Sequence, residues 1–166
     1  QLLQRCPAMR QALDEAIARH DIDWFEQPLA RGQVDAWPRL RAEAHAHDTR
    51  VAADESCLHE LEPLLAAEGV DALVIKPMYM GGLMPAARLA LRGQALGLEI
   101  CITSALESAV GRAGAVQLAS TIDGTPGLGG IHVDDVARLH ETPEHVSRPL
   151  RPGLGVVPRA TVAADT

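Results

Sequence analysis

The chain has 166 residues, 47% of them hydrophobic, and 22 acidic against 15 basic side chains give a formal charge of −7. That length suits one domain with a sizeable core, and an acidic balance without a basic stripe excludes a nucleic-acid surface. No apolar run reaches the length of a membrane span, and the first residues lack a secretory pattern, so a cytoplasmic protein with no membrane partner is expected.

The three cysteines, Cys6, Cys57 and Cys101, are far apart and form no Cys-x-x-Cys pair. They read as free thiols rather than a disulfide framework or a zinc site.

In chain order, Leu2, Leu3, Met9, Leu13 and Ile17 predict a helix over 1–19 that Gln1 enters partway, with Pro7 disturbing its first turn. A short strand over 21–26 is closed by Pro28, and a helix rich in Ala, Arg and Glu covers 34–47. A strand over 50–54 precedes a helix over 58–68 that Pro63 interrupts and Gly69 stops. A third strand, 71–76, runs into the Gly81-Gly82 turn and a helix over 84–96 that ends at Gly97. A strand over 98–103 and a small-residue helix over 107–120 follow, and the Gly/Pro-rich 121–130 leaves room for one more short strand before Ile131.

Strands alternating with helices predict an α/β fold with a parallel sheet, whose strands, buried on both faces, lose polar alternation. The strand ends at Glu26, Asp54, Lys76 and Thr103 are 28, 22 and 27 residues apart. That near-period suits a (β/α) barrel or an open doubly wound sheet. No Gly-x-Gly-x-x-Gly follows a strand, which counts against a dinucleotide fold.

Lys76 is the only lysine; the other fourteen basic residues are arginine. Arginine stays protonated, whereas a lysine near a cation or partly buried loses its proton more readily and can act as a base. In a parallel barrel, strand ends open on the face that carries the active site. Glu26 and Asp54, on neighbouring strands, are then the oxygen donors a hard cation such as Mg²⁺ needs, with Lys76 facing a metal-bound substrate. The competing reading is a rim ion-pair network in a non-catalytic β/α domain that pairs with another chain.

Other features read as structural. His45 and His47 are two apart and do not share a helix face, so they are solvated surface rather than a zinc site. Met78, Met80 and Met84 read as loop and core filling, and Trp24 as core packing on the inward face it shares with Glu26. Gly127 to Gly130 reads as a turn.

Four strand-end segments carry a resemblance: Trp24-Phe25-Glu26-Gln27-Pro28-Leu29, Ala53-Asp54-Glu55-Ser56, Ile75-Lys76-Pro77-Met78 with Gly81-Gly82, and Thr103-Ser104-Ala105-Leu106-Glu107-Ser108. In this order and spacing they resemble the enolase superfamily, in particular its muconate-lactonizing branch and, within that, the o-succinylbenzoate synthase group. The resemblance runs from about residue 1 to Val157, and the closing segment 151–157 is similar to the family's C-terminal segment.

The resemblance implies a partial TIM (β/α)8 barrel over 1–140, with strands like the fourth to the eighth of the family's C-terminal domain. A tail over 141–166 would return toward a capping domain. Residue by residue, it implies that Glu26 and Asp54 are metal ligands for Mg²⁺, or Mn²⁺ in its place, and that Glu55 supports its neighbouring ligand. It implies that Lys76 is the catalytic lysine of the sixth strand. In the synthase that lysine stabilises the intermediate electrostatically, the principal acid-base lysine coming from an earlier strand, and in racemases of the branch it exchanges protons. Ser104 and Glu107 are implied to bind substrate. The implied chemistry is proton abstraction beside a carboxylate, with Mg²⁺ stabilising the enediolate, and then loss of water, a lyase step of menaquinone biosynthesis. N-acylamino-acid racemase, dipeptide epimerase and muconate cycloisomerase share the branch and are the alternative activities.

The departures are as informative. The family's Lys-x-Lys strand, its first Asp ligand and its capping domain have no counterpart here, and a complete barrel takes about 250 residues. The expectation is a partial enzyme, inactive alone, that needs a missing N-terminal portion or a second copy of the chain besides its small-molecule carboxylate substrate.

Overall fold

β1 (Trp24–Glu26) is a strand of three residues. It stops because Gln27 turns into the left-handed region at φ 44° and Pro28 has no N–H to continue a ladder. β2 (Arg50–Ala53) pairs with it in parallel, in the register Trp24↔Arg50, Phe25↔Val51 and Glu26↔Ala52. Val51, Ala52 and Ala53 are fully buried, as a strand covered on both faces requires. The computed structural model describes residues 15, 22–105, 107–124, 141–142 and 145–146, in two compact units, Gln1–Ala72 and Leu73–Thr166.

Within the first unit, the helix expected over 34–47 opens as a 3₁₀ turn, Val34–Ala36, and continues as α1 (Trp37–His45). Pro38 sits in its first turn, where its missing N–H costs no helical bond. The helix expected over 58–68 is two short ones, α2 (Ser56–His59) and α3 (Leu61–Ala66). The break is at Glu60 (φ −135°, ψ 17°) and not at Pro63, which lies in the first turn of α3 and is tolerated there. Gly69 closes this segment against Trp37, where an added Cβ would lie 2.6 Å from the Trp37 Cβ. Trp37, fully buried on α1, is therefore the core tryptophan. Trp24 is half-exposed and lies under the Arg50 guanidinium, 5.2 Å from ring centroid to charge, which corrects its reading as core.

Asp71 ties β2 to the residue that precedes the next strand. Its N–H donates to Val51 O (2.8 Å) and its Oδ2 accepts from Val51 N (2.9 Å). Arg41 Nε (2.6 Å) and His45 Nε2 (2.9 Å) complete its shell.

In the second unit, β3 (Ala72–Ile75, whose first residue closes the preceding unit) is entirely buried. The turn after it passes through Gly81 (φ 84°) and Gly82 (φ 116°), and Gly82 caps α4 (Leu83–Ala95). α4 buries Ala86, Ala90 and Gly93, one face at helical spacing. Gly93 gives room to Ile100 and Leu73, whose methyls lie 2.6 and 3.0 Å from where its Cβ would be. β4 (Glu99–Ile102) leads to α5 (Ala109–Ala119), and Thr103 N donates to Ile75 O (3.0 Å). A two-stranded antiparallel ladder, β5 (Glu141–Thr142) with β6 (His145–Val146), was not foreseen in the sequence.

Met78 and Met84 are 55% and 66% exposed, so they fill no core. Cys57 and Cys101 are buried thiols that form no disulfide among the described residues, and the Cys57 thiol donates to Ala53 O (3.1 Å). Thr121 to Gly124 are turn and bends. The rest of the strand expected before Ile131, Gly127 to Gly130, Cys6, most of the tail over 141–166 and all of the helix over 1–19 except the helical Glu15 lie outside the described residues.

Candidate functional site

Glu26 is the last residue of β1 and Asp54 the first beyond β2, so the parallel ladder brings both carboxylates to the ends of adjoining strands. Asp54 is buried at 7% exposure; Glu26 is exposed. Glu55, the neighbour of Asp54, is exposed and caps α2 without a side-chain hydrogen bond to the helix. The adjacent pair thus divides into one inward and one outward carboxylate.

A polar lattice holds this rim. Gln27 N donates to Ala52 O (2.9 Å), extending the ladder by one bond. Gln27 Oε1 then accepts from Asp54 N (3.0 Å) and Ser56 N (3.1 Å), while its Nε2 donates to Leu29 O and Ser56 Oγ, both at 2.9 Å. Ser56 Oγ donates on to Glu60 Oε2 (3.3 Å), and Glu60 Oε1 accepts from Gly32 N (2.6 Å). Gln27 and Ser56 stand inside the segments that carry the resemblance, but neither they nor Glu60 were given a role from the sequence. The available signal was a long polar side chain directly after Glu26, and a Ser–Glu pair four apart.

Lys76 follows β3 and is half-buried; its carbonyl accepts from Tyr79 N (2.9 Å) and Met80 N (3.2 Å) and so starts the turn. Because Thr103 N bonds Ile75 O, Lys76 and Ser104 occupy adjoining strand ends of the second unit. Ser104 (8% exposed) and Glu107 (5%) are buried just before α5. Glu107 Oε1 accepts from Ala105 N (3.2 Å). Glu107 Oε2 and Ser104 Oγ, however, are buried with no hydrogen-bond partner among the described residues. Such groups normally find a partner, and leaving one unsatisfied costs about 1–3 kcal/mol. Glu107 also lines a cavity of about 410 Å³ whose other walls include Pro77, Met78, Leu83, Val110 and Gly111. A mostly apolar hollow with one buried, half-satisfied carboxylate is a place for a ligand that brings a hydrogen-bond donor.

The donor set of the first rim is two carboxylates, and among the described residues no three His, Cys, Asp or Glu side chains gather closely enough to hold a metal. All-oxygen donors suit a hard cation that keeps several waters or takes substrate oxygens, so Glu26 and Asp54 fit Mg²⁺ as part of its shell. No described helix is long and apolar enough to cross a membrane.

Alternating strands and helices, with polar residues following the strands of each unit, mark an α/β domain of the barrel type. The profile of the Enolase C-terminal domain-like family matches residues 4–162. This chain belongs to that family. It is 28% identical to N-succinyl-L-Arg/Lys racemase of Bacillus cereus over 85% of its length, and 33% identical to o-succinylbenzoate synthase of Thermobifida fusca over 86%. The crystal structure of the Bacillus cereus N-succinyl Arg/Lys racemase superposes with a TM-score of 0.80 at 27% identity, covering 90% of this chain. A muconate cycloisomerase from Azorhizobium caulinodans superposes with a TM-score of 0.75 at 28% identity over 91%. Of the two folds the strand spacing left open, the barrel-type α/β fold that the resemblance implies is that of this family. The chain spans only 39% and 42% of the two curated relatives, and 41% and 44% of the two solved chains.

Proposed function

We propose that the protein carrying this chain is a Mg²⁺-dependent dehydratase of the o-succinylbenzoate synthase type, acting on a small carboxylate in the cytoplasm as part of menaquinone biosynthesis. The observation that carries this reading is the buried pair of polar atoms, Ser104 Oγ and Glu107 Oε2, without a partner among the described residues and one strand end away from Lys76. Support comes also from the 33% identity to a relative of that name.

Glu26 and Asp54 hold the ion, which when bound supplies the positive charge that makes a proton beside a carboxylate acidic. Asp54 is fixed from behind by its amide, so its carboxylate needs little ordering on binding. Glu55, exposed beside it, biases the rim toward cations. Lys76 is the ammonium that faces the reacting carbon and holds or returns the proton. Ser104 and Glu107 give the substrate a donor and an acceptor that the fold leaves unused. Glu26 and Asp54 are two ligands, and the chain spans about 40% of its relatives, so turnover is assigned to the whole protein and not to residues 1–166 alone.

A second reading, racemisation of an N-acylamino acid, is favoured by the likeness to the Bacillus cereus racemase in both sequence and structure. The same lysine would then exchange a proton without loss of water. The full-length protein is assayed with the synthase's hydroxy-acid precursor and with N-succinyl amino acids, as wild type and as Lys76→Arg. Dehydration that falls about 10²- to 10⁴-fold in Lys76→Arg supports the first reading, since charge is kept and proton exchange lost. Racemisation without dehydration selects the second. Full activity of Lys76→Arg on either substrate sinks the role given to Lys76.

A further inference from the structure

We propose that Gln27 is a positioning residue whose side-chain amide sets the placement of Asp54 relative to Glu26; the proposal rests on reading those two as metal ligands. The ladder between β1 and β2 stops short of Asp54. Its last bond, Gln27 N to Ala52 O, ends two residues short of Asp54, and the chain then turns away into separate loops. From there the Gln27 amide takes over the pairing.

An amide has two lone pairs on oxygen and two N–H donors, and all four positions are used. Oε1 receives the N–H of Asp54 and of Ser56, and Nε2 gives its two hydrogens to Leu29 O and Ser56 Oγ. The bond to Asp54 N fixes the backbone that carries one ligand, and Gln27 is itself covalently next to the other. To reach these partners Gln27 holds φ at 44°, a conformation that side chains other than glycine's seldom adopt. Ser56 and Glu60 relay the contact to Gly32, so the loops after β1 and β2 are laced at both ends. No other residue type fits. Glutamate lacks the two N–H donors and adds a third negative charge beside two carboxylates, and methionine has the length but neither half of the amide.

The test is Mn²⁺ affinity, read by electron paramagnetic resonance on the full-length protein, together with amide hydrogen exchange at Asp54 and Ser56. Groups that orient a ligand from behind typically cost about 10- to 100-fold in metal affinity when removed. Gln27→Met is expected to weaken Mn²⁺ by that factor and to speed exchange at both amides. Gln27→Gly, which relaxes the backbone but has no amide, is expected to be as weak. Ser56→Ala, which removes one of the four partners and leaves a foldable chain should Gln27→Met not fold, is expected to weaken Mn²⁺ by about 2- to 5-fold. Faster exchange with Mn²⁺ affinity unchanged in these variants overturns the proposal, because Gln27 would then brace the loop without placing the ligand. A wild type whose Mn²⁺ binding is untouched by Asp54→Ala overturns the metal reading itself, and this proposal with it.

Discussion

The two strand-end rims of this chain are built on opposite plans. In the first unit the loops after β1 and β2 satisfy one another: Gln27 uses all four amide positions, Ser56 both accepts and donates, and both Glu60 oxygens are bonded. In the second unit the segment between β4 and α5 buries Ser104 Oγ and half of the Glu107 carboxylate with no partner among the described residues. Each rim buries two polar residues, Asp54 and Ser56 in the first and Ser104 and Glu107 in the second, so burial alone does not distinguish them. What differs is whether hydrogen-bonding capacity is spent inside the fold or left for something that arrives. A closed rim suits a small ion that tolerates little looseness in its ligands, and an open one suits an organic substrate.

The largest expected effect is on the open rim. Glu107→Leu removes the orphaned oxygen and the acceptor of Ala105 N together, so the gain and the loss nearly cancel and stability should stay within about 1 kcal/mol of wild type. Activity of the full-length protein should fall by about 10²-fold or more, equivalent to roughly 2.7 kcal/mol of barrier. Chemical denaturation and kcat/KM measured on one preparation check both halves. A variant that is fully active, or one that cannot fold, would mean that Glu107 is structural and the rim not open.

The same edit made on each rim sharpens the contrast. Ser56→Ala deletes one donated and one accepted bond and leaves Gln27 Nε2 short of a partner, so it should destabilise by about 1–2 kcal/mol. Ser104→Ala removes a buried hydroxyl that has no partner and should be neutral or stabilising by about 1 kcal/mol, with a loss of substrate affinity. Opposite signs in urea unfolding are the expected result. Equal destabilisation at both serines would erase the distinction.

How much of this was legible follows the physics of each feature. Glu26, Asp54, Lys76 and Ser104 stand at strand ends because strand ends are announced locally, by an apolar run giving way to polar residues and turn formers. Gln27 was not legible, because its role depends on a left-handed backbone and on a partner loop 27 residues away. The break at Glu60 was misplaced to Pro63 for a related reason. Proline marks its own neighbourhood strongly, whereas Glu60 leaves helical geometry where its carboxylate joins Ser56 to Gly32, 28 residues away, and that second contact lies outside any local pattern. Trp24 was read as core although alternation along a three-residue strand carries little weight, while Trp37, for which the sequence offered no reading, is buried where Gly69 lets α1 pack. The exposed Met78 and Met84 were read as filling because methionine's apolar character does not say which surface it covers.

A third test concerns the pairing behind the first rim. Burial works to raise the Asp71 carboxyl, but the Val51 amide, His45 and Arg41 outweigh it and hold the group below its ordinary value. With the folded pKa below the unfolded one of about 3.9, its contribution is fully present above that pH and is lost as pH falls through the folded pKa. Asp71→Asn should therefore melt below wild type near neutrality, with the gap closing as the pH drops below about 4. Thermal melts across pH 2 to 7 (a range of about five units) read this directly. A gap that stays constant into acid would remove the ion pairs from the account.

The smallest expected effect lies four residues beyond Ser104, where the second unit does spend a serine on its own fold. Ser108 caps α5 with an extended backbone (φ −66°, ψ 160°), and its Oγ accepts from Gly111 N at 3.2 Å. The first N–H groups of a helix have no partner within it, so this bond is local to the cap and owes nothing to a ligand. Ser108→Ala should cost about 1 kcal/mol and Ser108→Gly only a few tenths, because glycine leaves the amide open to water. Ser108→Asp should restore or exceed wild-type stability, since it keeps the acceptor and places negative charge at a helix N-terminus. That added charge sits one residue from Glu107, so it should also weaken binding of an anionic substrate and leave a neutral one unaffected. Stability recovered without any change in carboxylate affinity would separate the α5 cap from the ligand cavity, and Glu107 would have to act on substrate without help or hindrance from its neighbour.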